Sequence, residues 1–103
     1  MRLKQPVVKM GGDLHFSIEI ESTSDREQSL VVDYIVHHVK ANGRLTPKVF
    51  KLAQRKLRSG ECVELSKRHS FRPISTRKYY AGQHILEIQI NGRKYTKADF
   101  ELK

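Results

Sequence analysis

Between Arg44 and Lys78 the chain carries eleven Lys and Arg side chains (positions 44, 48, 51, 55, 56, 58, 67, 68, 72, 77 and 78) against two acids, Glu61 and Glu64. That surplus of nine equals the formal net charge of the whole chain, +9, so everything outside the stretch cancels. One-signed charge concentrated in a small domain points to an anionic partner, because self-repulsion there opposes folding until something negative relieves it. The densest part, Lys67-Arg68-His69-Ser70-Phe71-Arg72-Pro73-Ile74-Ser75-Thr76-Arg77-Lys78-Tyr79-Tyr80, mixes cations with hydroxyls and aromatics. Contacts to phosphate and sugar draw on that inventory. Arg68, Arg72 and Arg77 are suited to clamping phosphate oxygens, Lys67 and Lys78 flank them, and Lys48 and Lys51 come from the neighbouring hairpin. Phe71 or Tyr79 would stack on the bases of a single strand. The competing reading is a connection whose Phe71 and Ile74 plug the end of the domain while the charges face water, or face an acidic protein surface.

Catalytic chemistry has little footing. Cys62 lies beside an inward-alternating Val63, and no histidine sits at a spacing that makes it a base for the thiol, so it reads as an ordinary strand cysteine. His37 and His38 have metal-ligand types, yet neighbours on a strand point to opposite faces and cannot share an ion. His15, His69 and His84 are scattered without cysteine or carboxylate at ligand spacing. The six glycines are spread among turns and form neither GxGxxG nor a P-loop. No catalytic residue, metal or cofactor is assigned.

The elements that would carry the basic tract are strands. Leu14, Phe16, Ile18 and Ile20 alternate with His15, Ser17, Glu19 and Glu21, a half-buried strand. Before it, Leu3 to Met10 reads as an edge strand, since Pro6 removes a ladder donor, with Gly11-Gly12 as the reversal between the two. In SLVVDYIVHHVK, Leu30, Val32, Tyr34, Val36 and His38 form one face, while Val31, Ile35 and Val39 make the other face apolar too. An apolar row on the face opposite the core is a motive for docking on another domain. Asn42-Gly43 and Asn91-Gly92 mark two type I′ hairpins. Between them lie Lys48 to Leu52, a second short strand near Arg55 to Arg58, a Ser59-Gly60 turn, and Glu61 to Lys67 with Val63 and Leu65 inward. Leu86, Ile88 and Ile90, then Ala98, Phe100 and Leu102, complete the last hairpin.

About seven short strands with turns between them, in a chain of 103 residues, predict one all-β domain, an antiparallel sandwich of immunoglobulin or fibronectin type. An open barrel is the alternative. Tyr80-Ala-Gly82-Gln-His84-Ile-Leu86 has the shape of the stretch that enters strand F of immunoglobulin domains, with His84 in the corner-tyrosine place and Leu86 in the cysteine place. The predicted core is Leu14, Phe16, Ile18, Val32, Tyr34, Val36, Leu65, Leu86, Ile88 and Phe100. A lone cysteine fits a reducing, cytoplasmic compartment. No apolar run approaches the ~20 residues that span a bilayer, so no membrane partner is expected.

The strings VVDYIVHHVKANG, PKVFKL, KRHSFRPISTRKYYAGQH and LEIQINGR with the closing FEL resemble the C-terminal domain of many bacterial DNA alkylation repair proteins. The body of those proteins is a helical HEAT-repeat DNA glycosylase. The resemblance runs from about Asp13 to Leu102 and implies a cytosolic bacterial protein that works on or near DNA. It places base excision in a helical body for whose residues this chain has no counterpart. What it implies here is an accessory domain of a longer protein, or a stand-alone relative, that adds non-specific DNA backbone affinity. The other role consistent with it is an interaction domain that docks on the helical repeats, or on itself, through Val31, Ile35 and Val39.

Overall fold

The computed structural model describes residues 1–73 and 78–103, so the expected roles of Ile74 and Arg77 lie outside the described residues. The chain forms β1 (Arg2–Leu3), β2 (Val7–Val8), β3 (Asp13–Glu21), β4 (Gln28–Val39), β5 (Leu45–Leu57), β6 (Cys62–Ser70), β7 (Gly82–Ile90) and β8 (Arg93–Leu102). They build a sandwich of a three-stranded sheet, β1-β3-β6, on a five-stranded sheet, β2-β8-β7-β4-β5.

Eight strands appear rather than about seven, and the N-terminal segment, expected as one strand, divides in two at Pro6. Arg2 and Leu3 pair antiparallel with Ser17 and Phe16, whereas Val7 and Val8 run parallel to Glu101 and Leu102 in the other sheet. Proline has no N–H to continue a ladder, but its carbonyl still accepts, and the Pro6 oxygen takes the Glu101 N–H at 2.8 Å. Gly11-Gly12 therefore carries the chain from one sheet to the other and does not close a hairpin. A second correction concerns β5, expected as two short strands. It is one strand with a bulge, where Val32 pairs with Ala53 but Asp33 with Lys51, and the extra Leu52 breaks the alternation.

The two Asn-Gly turns differ. Asn91 and Gly92 both hold positive φ, 50° and 79°, as a type I′ turn requires. The Asn91 side chain also ties the turn to β4, accepting from the Val31 N–H and donating to the Ser29 carbonyl. At Asn42-Gly43 only the glycine is left-handed, and Lys40 and Arg44 bracket a three-residue loop through the Lys40 N–H to Arg44 carbonyl bond of 2.8 Å.

All ten residues of the predicted core are buried, and Glu19 is exposed, so the alternation places each strand in its true register. The apolar row on the outer face of β4 is uneven. Val31 is 41% exposed and Val39 half-buried, but Ile35 is only 3% exposed, in register between Val49 of β5 and Glu87 of β7. Ile35 therefore has almost no surface to offer a partner in this chain. Among the described residues no helix is long and apolar enough to cross a membrane.

Candidate nucleic-acid interface

The basic tract is anchored by an aromatic plug. β6 ends at Ser70, and the next residue, Phe71, turns inward with no exposed surface, its N–H bonded to the Gly12 carbonyl at 2.8 Å. Its ring meets those of His69 (5.1 Å), Tyr79 (5.3 Å), Phe100 (5.7 Å), His84 (5.9 Å) and His38 (6.2 Å). Phe71 cannot stack on a base, which corrects one expectation. Tyr79, half-buried against Phe71 and His38, is likewise part of the plug.

His84 occupies the corner position and its tautomer follows from its neighbours. Its Nε2 accepts from the Val39 N–H at 3.5 Å, so Nδ1 carries the proton and donates to the Gly82 carbonyl at 3.1 Å. Burial lowers the pKa of His84 from its ordinary 6.5, with the Gly82 carbonyl opposing, and a neutral ring suits that role. The corner closes the same end of the sandwich as Phe71.

Around this end the cations fall into groups that the chain order does not show. Lys48 and Lys78 line one cavity of about 590 Å³ together with Lys40, Asn42, Thr46 and Tyr80. Lys78 sits over the Tyr80 ring, with Nζ 5.5 Å from its centroid. Lys48 lies opposite fully buried Val36, on the core-facing side of edge strand β5, yet is itself exposed. Lys51 points the other way. It pairs with Asp33 on the outer face of the sheet, so the two lysines expected to act together do not share a face. Lys67 and Arg68 line a separate cavity of about 460 Å³ on the three-stranded sheet, with Arg2 and Lys4. Arg72 is exposed, its N–H turned back to the Ser70 hydroxyl. Lys40, Arg2 and Lys4 escape a charge count along the sequence, since only strand pairing brings them to the tract.

The remaining reactive side chains are accounted for. His37 is on the outer face, 3.0 Å from the Glu87 carboxylate, whereas His38 is buried. Cys62 is exposed opposite Glu21, and desolvation followed by the Glu21 and Glu19 carboxylates raises its thiol pKa, the reverse of what an activated nucleophile needs. No three His, Cys, Asp or Glu side chains gather as metal ligands among the described residues.

Residues 1–103 match the family model of the C-terminal Ig-like domain of the uncharacterised protein YhaZ. The chain belongs to this family. YhaZ of Bacillus subtilis (strain 168) is 36% identical over 95 residues, which cover 92% of the chain and 26% of YhaZ. Among solved structures, the Pseudomonas fluorescens alkylpurine DNA glycosylase AlkC, bound to DNA containing an abasic site analog, superposes with a TM-score of 0.95 at 35% identity. That match covers 98% of the chain and 28% of AlkC, so the chain spans about a quarter of the length of either relative. The resemblance to the C-terminal domain of alkylation repair proteins thus stands, in sequence and in fold. A Listeria innocua β-glucosidase in complex with laminaribiose superposes at a TM-score of 0.80 over 99% of the chain and 15% of the enzyme, but at 16% identity it shares the fold with the YhaZ family and no more.

Proposed function

We propose that the chain is a non-catalytic accessory domain of a cytoplasmic DNA alkylation repair protein, and that it holds DNA backbone at the end of the sandwich closed by Phe71. The observation that carries this reading is the cavity where Lys40, Lys48 and Lys78 converge with no acid in its lining, in a domain whose fold superposes on a glycosylase bound to DNA. Base excision would belong to the remaining three quarters or so of such a protein, as the lengths of the relatives suggest. Lysines that neutralise phosphates supply affinity without reading sequence, which suits an enzyme searching duplex DNA.

If these three lysines each neutralise a phosphate, log K should fall with log salt with a slope of about −2.7, and affinity should drop about 40-fold between about 50 and 200 mM salt. The triple variant Lys40→Ala, Lys48→Ala, Lys78→Ala should flatten the measured slope by about 2.7 while leaving stability nearly unchanged, because exposed charges contribute little to folding. Fluorescence anisotropy with two unrelated duplexes measures slope and sequence preference together. An unchanged slope in the triple variant would remove the cavity from the interface.

A second reading rests on the outer face of the five-stranded sheet. Leu45 and Val49 are 41% and 52% exposed there, flanking Pro47 and opposite β4, with Val31 at 41% further along. We propose that this strip docks on the helical repeat body of a longer protein. Val49→Asp should cost the isolated domain about 1 kcal/mol and leave it folded. In a protein carrying both domains it should expose their linker to proteolysis, and protection equal to that of the parent would count against docking.

A further inference from the structure

We propose that the outer face of the three-stranded sheet carries a phosphate-group site of its own, separate from the cavity of Lys40, Lys48 and Lys78. Pairing of β1, β3 and β6 lays out two rows across the strands. Arg2, Ser17 and Ser66 form one, since Ser17 is in register with both of the others. Lys4, His15 and Arg68 form the next, because His15 pairs with Arg68 and its carbonyl accepts the Lys4 N–H at 2.9 Å. All six residues line the cavity of about 460 Å³, and Lys67, which also borders it, lies opposite buried Phe16 on the core-facing side of β6. Strand spacing makes the patch about 10 Å across the sheet and about 7 Å along it, the scale of one or two phosphate groups.

The chemistry is that of an oxyanion. Arg2, Lys4 and Arg68 bring three cations to this face, Ser17 and Ser66 bring hydroxyl donors, and no carboxylate is in the lining. Arg68 is 70% exposed and has Asp13 3.7 Å from its Nε, a contact at the rim that steadies the guanidinium and leaves its other nitrogens for a ligand. One row further along the same face the sign reverses. Glu19 stands opposite Glu64, beside a cavity shared with Arg2 and Ser17, and Glu21 lies opposite Cys62 beyond them. An anionic strand is therefore repelled from running along β3 towards Glu21 and crosses the strands instead. The acidic row turns a basic patch into a bounded and oriented site.

Backbone amide NMR of the 103-residue chain tests this with two probes, inorganic phosphate and a single-stranded oligonucleotide without terminal phosphates. Saturable shifts are expected at Ser17, Ser66 and Arg68, beyond those from sodium chloride at equal ionic strength. Arg2→Ala with Arg68→Ala should weaken them at least about tenfold, as loss of two charge-assisted contacts implies. The Lys40, Lys48 and Lys78 triple variant should leave them in place, and Glu19→Gln with Glu64→Gln should tighten binding about threefold. A response to the oligonucleotide alone identifies a backbone diester site, and one to phosphate alone identifies a site for the dianionic monoester. No saturable shift with either probe, or shifts that survive loss of Arg2 and Arg68, would overturn the proposal. Because the two sets of variants are separate, failure here and failure of the lysine cavity are distinguishable.

Discussion

Phe71→Ala is expected to cost about 3–5 kcal/mol of folding free energy, the range for emptying a fully buried aromatic site. For a domain of this size that is a large part of a total stability of about 5–15 kcal/mol. The ring has no exposed surface and is enclosed by five other rings from β4, β6, β7, β8 and the segment leading to Tyr79, so little can collapse into the space it leaves. Urea denaturation followed by circular dichroism measures the loss. A change below about 1 kcal/mol would mean that the pocket closes up and that Phe71 is not what holds this end together. The same variant informs on DNA binding, because it removes no charge. Weaker binding at an unchanged salt slope would show that Phe71 orders the residues around Arg72 and Lys78 rather than contacting the ligand.

Raising the pH through the range of about 10 to 12 should remove about 2–3 kcal/mol of stability on account of Tyr34 alone. Its phenol is pushed up to about 12 by burial, from the ordinary 10.0. The unfolded chain releases this proton near 10 while the folded chain keeps it, so the folded state binds more protons in between and stability falls as pH rises. Below 10 the contribution is fully present. The environment explains the preference for the neutral phenol: Tyr34 is 2% exposed, stacks on Phe50 with centroids 5.1 Å apart, meets Phe16 edge-on at 5.2 Å, and shares a 2.8 Å hydrogen bond with Nδ1 of His69. The comparison is with Tyr34→Phe, whose stability curve should lack this component. Parallel curves for the two proteins above pH 10 would contradict it.

Strand alternation made the core legible. Seven of the ten expected residues sit in runs where apolar and polar side chains take turns, and one buried face suffices to fix the register; Val32, Tyr34 and Val36 lie in β4, which is apolar on both faces. Ile35 shows where that logic stops: alternation puts it on the face opposite the core, as a docking residue, but Val49 and Glu87 beside it leave little of it accessible, and cross-strand neighbours are not visible along a single chain. The bulge at Leu52 hid the continuity of β5 for a related reason, because one extra residue resets the pattern. The candidate interface was legible only in part. Composition located the charge, but Arg2, Lys4 and Lys40 join it through pairing, which charge counted along the chain does not reveal. The division between Lys48 and Lys51 was within reach, since residues three apart on a strand face opposite ways.

The parting of the N-terminal segment at Pro6 also bears on how the domain carries mechanical load. β2 runs parallel to β8, and near it the Glu101 N–H bonds to the Pro6 carbonyl, the Lys103 N–H to the Val8 carbonyl, and the Met10 N–H to the Lys103 carbonyl. In a parallel pair the two chain ends leave in opposite directions. Tension applied between them loads these hydrogen bonds together, in shear, where an antiparallel hairpin would peel apart one bond at a time. A pull between β2 and the end of β8 therefore meets these bonds side by side and not one after another.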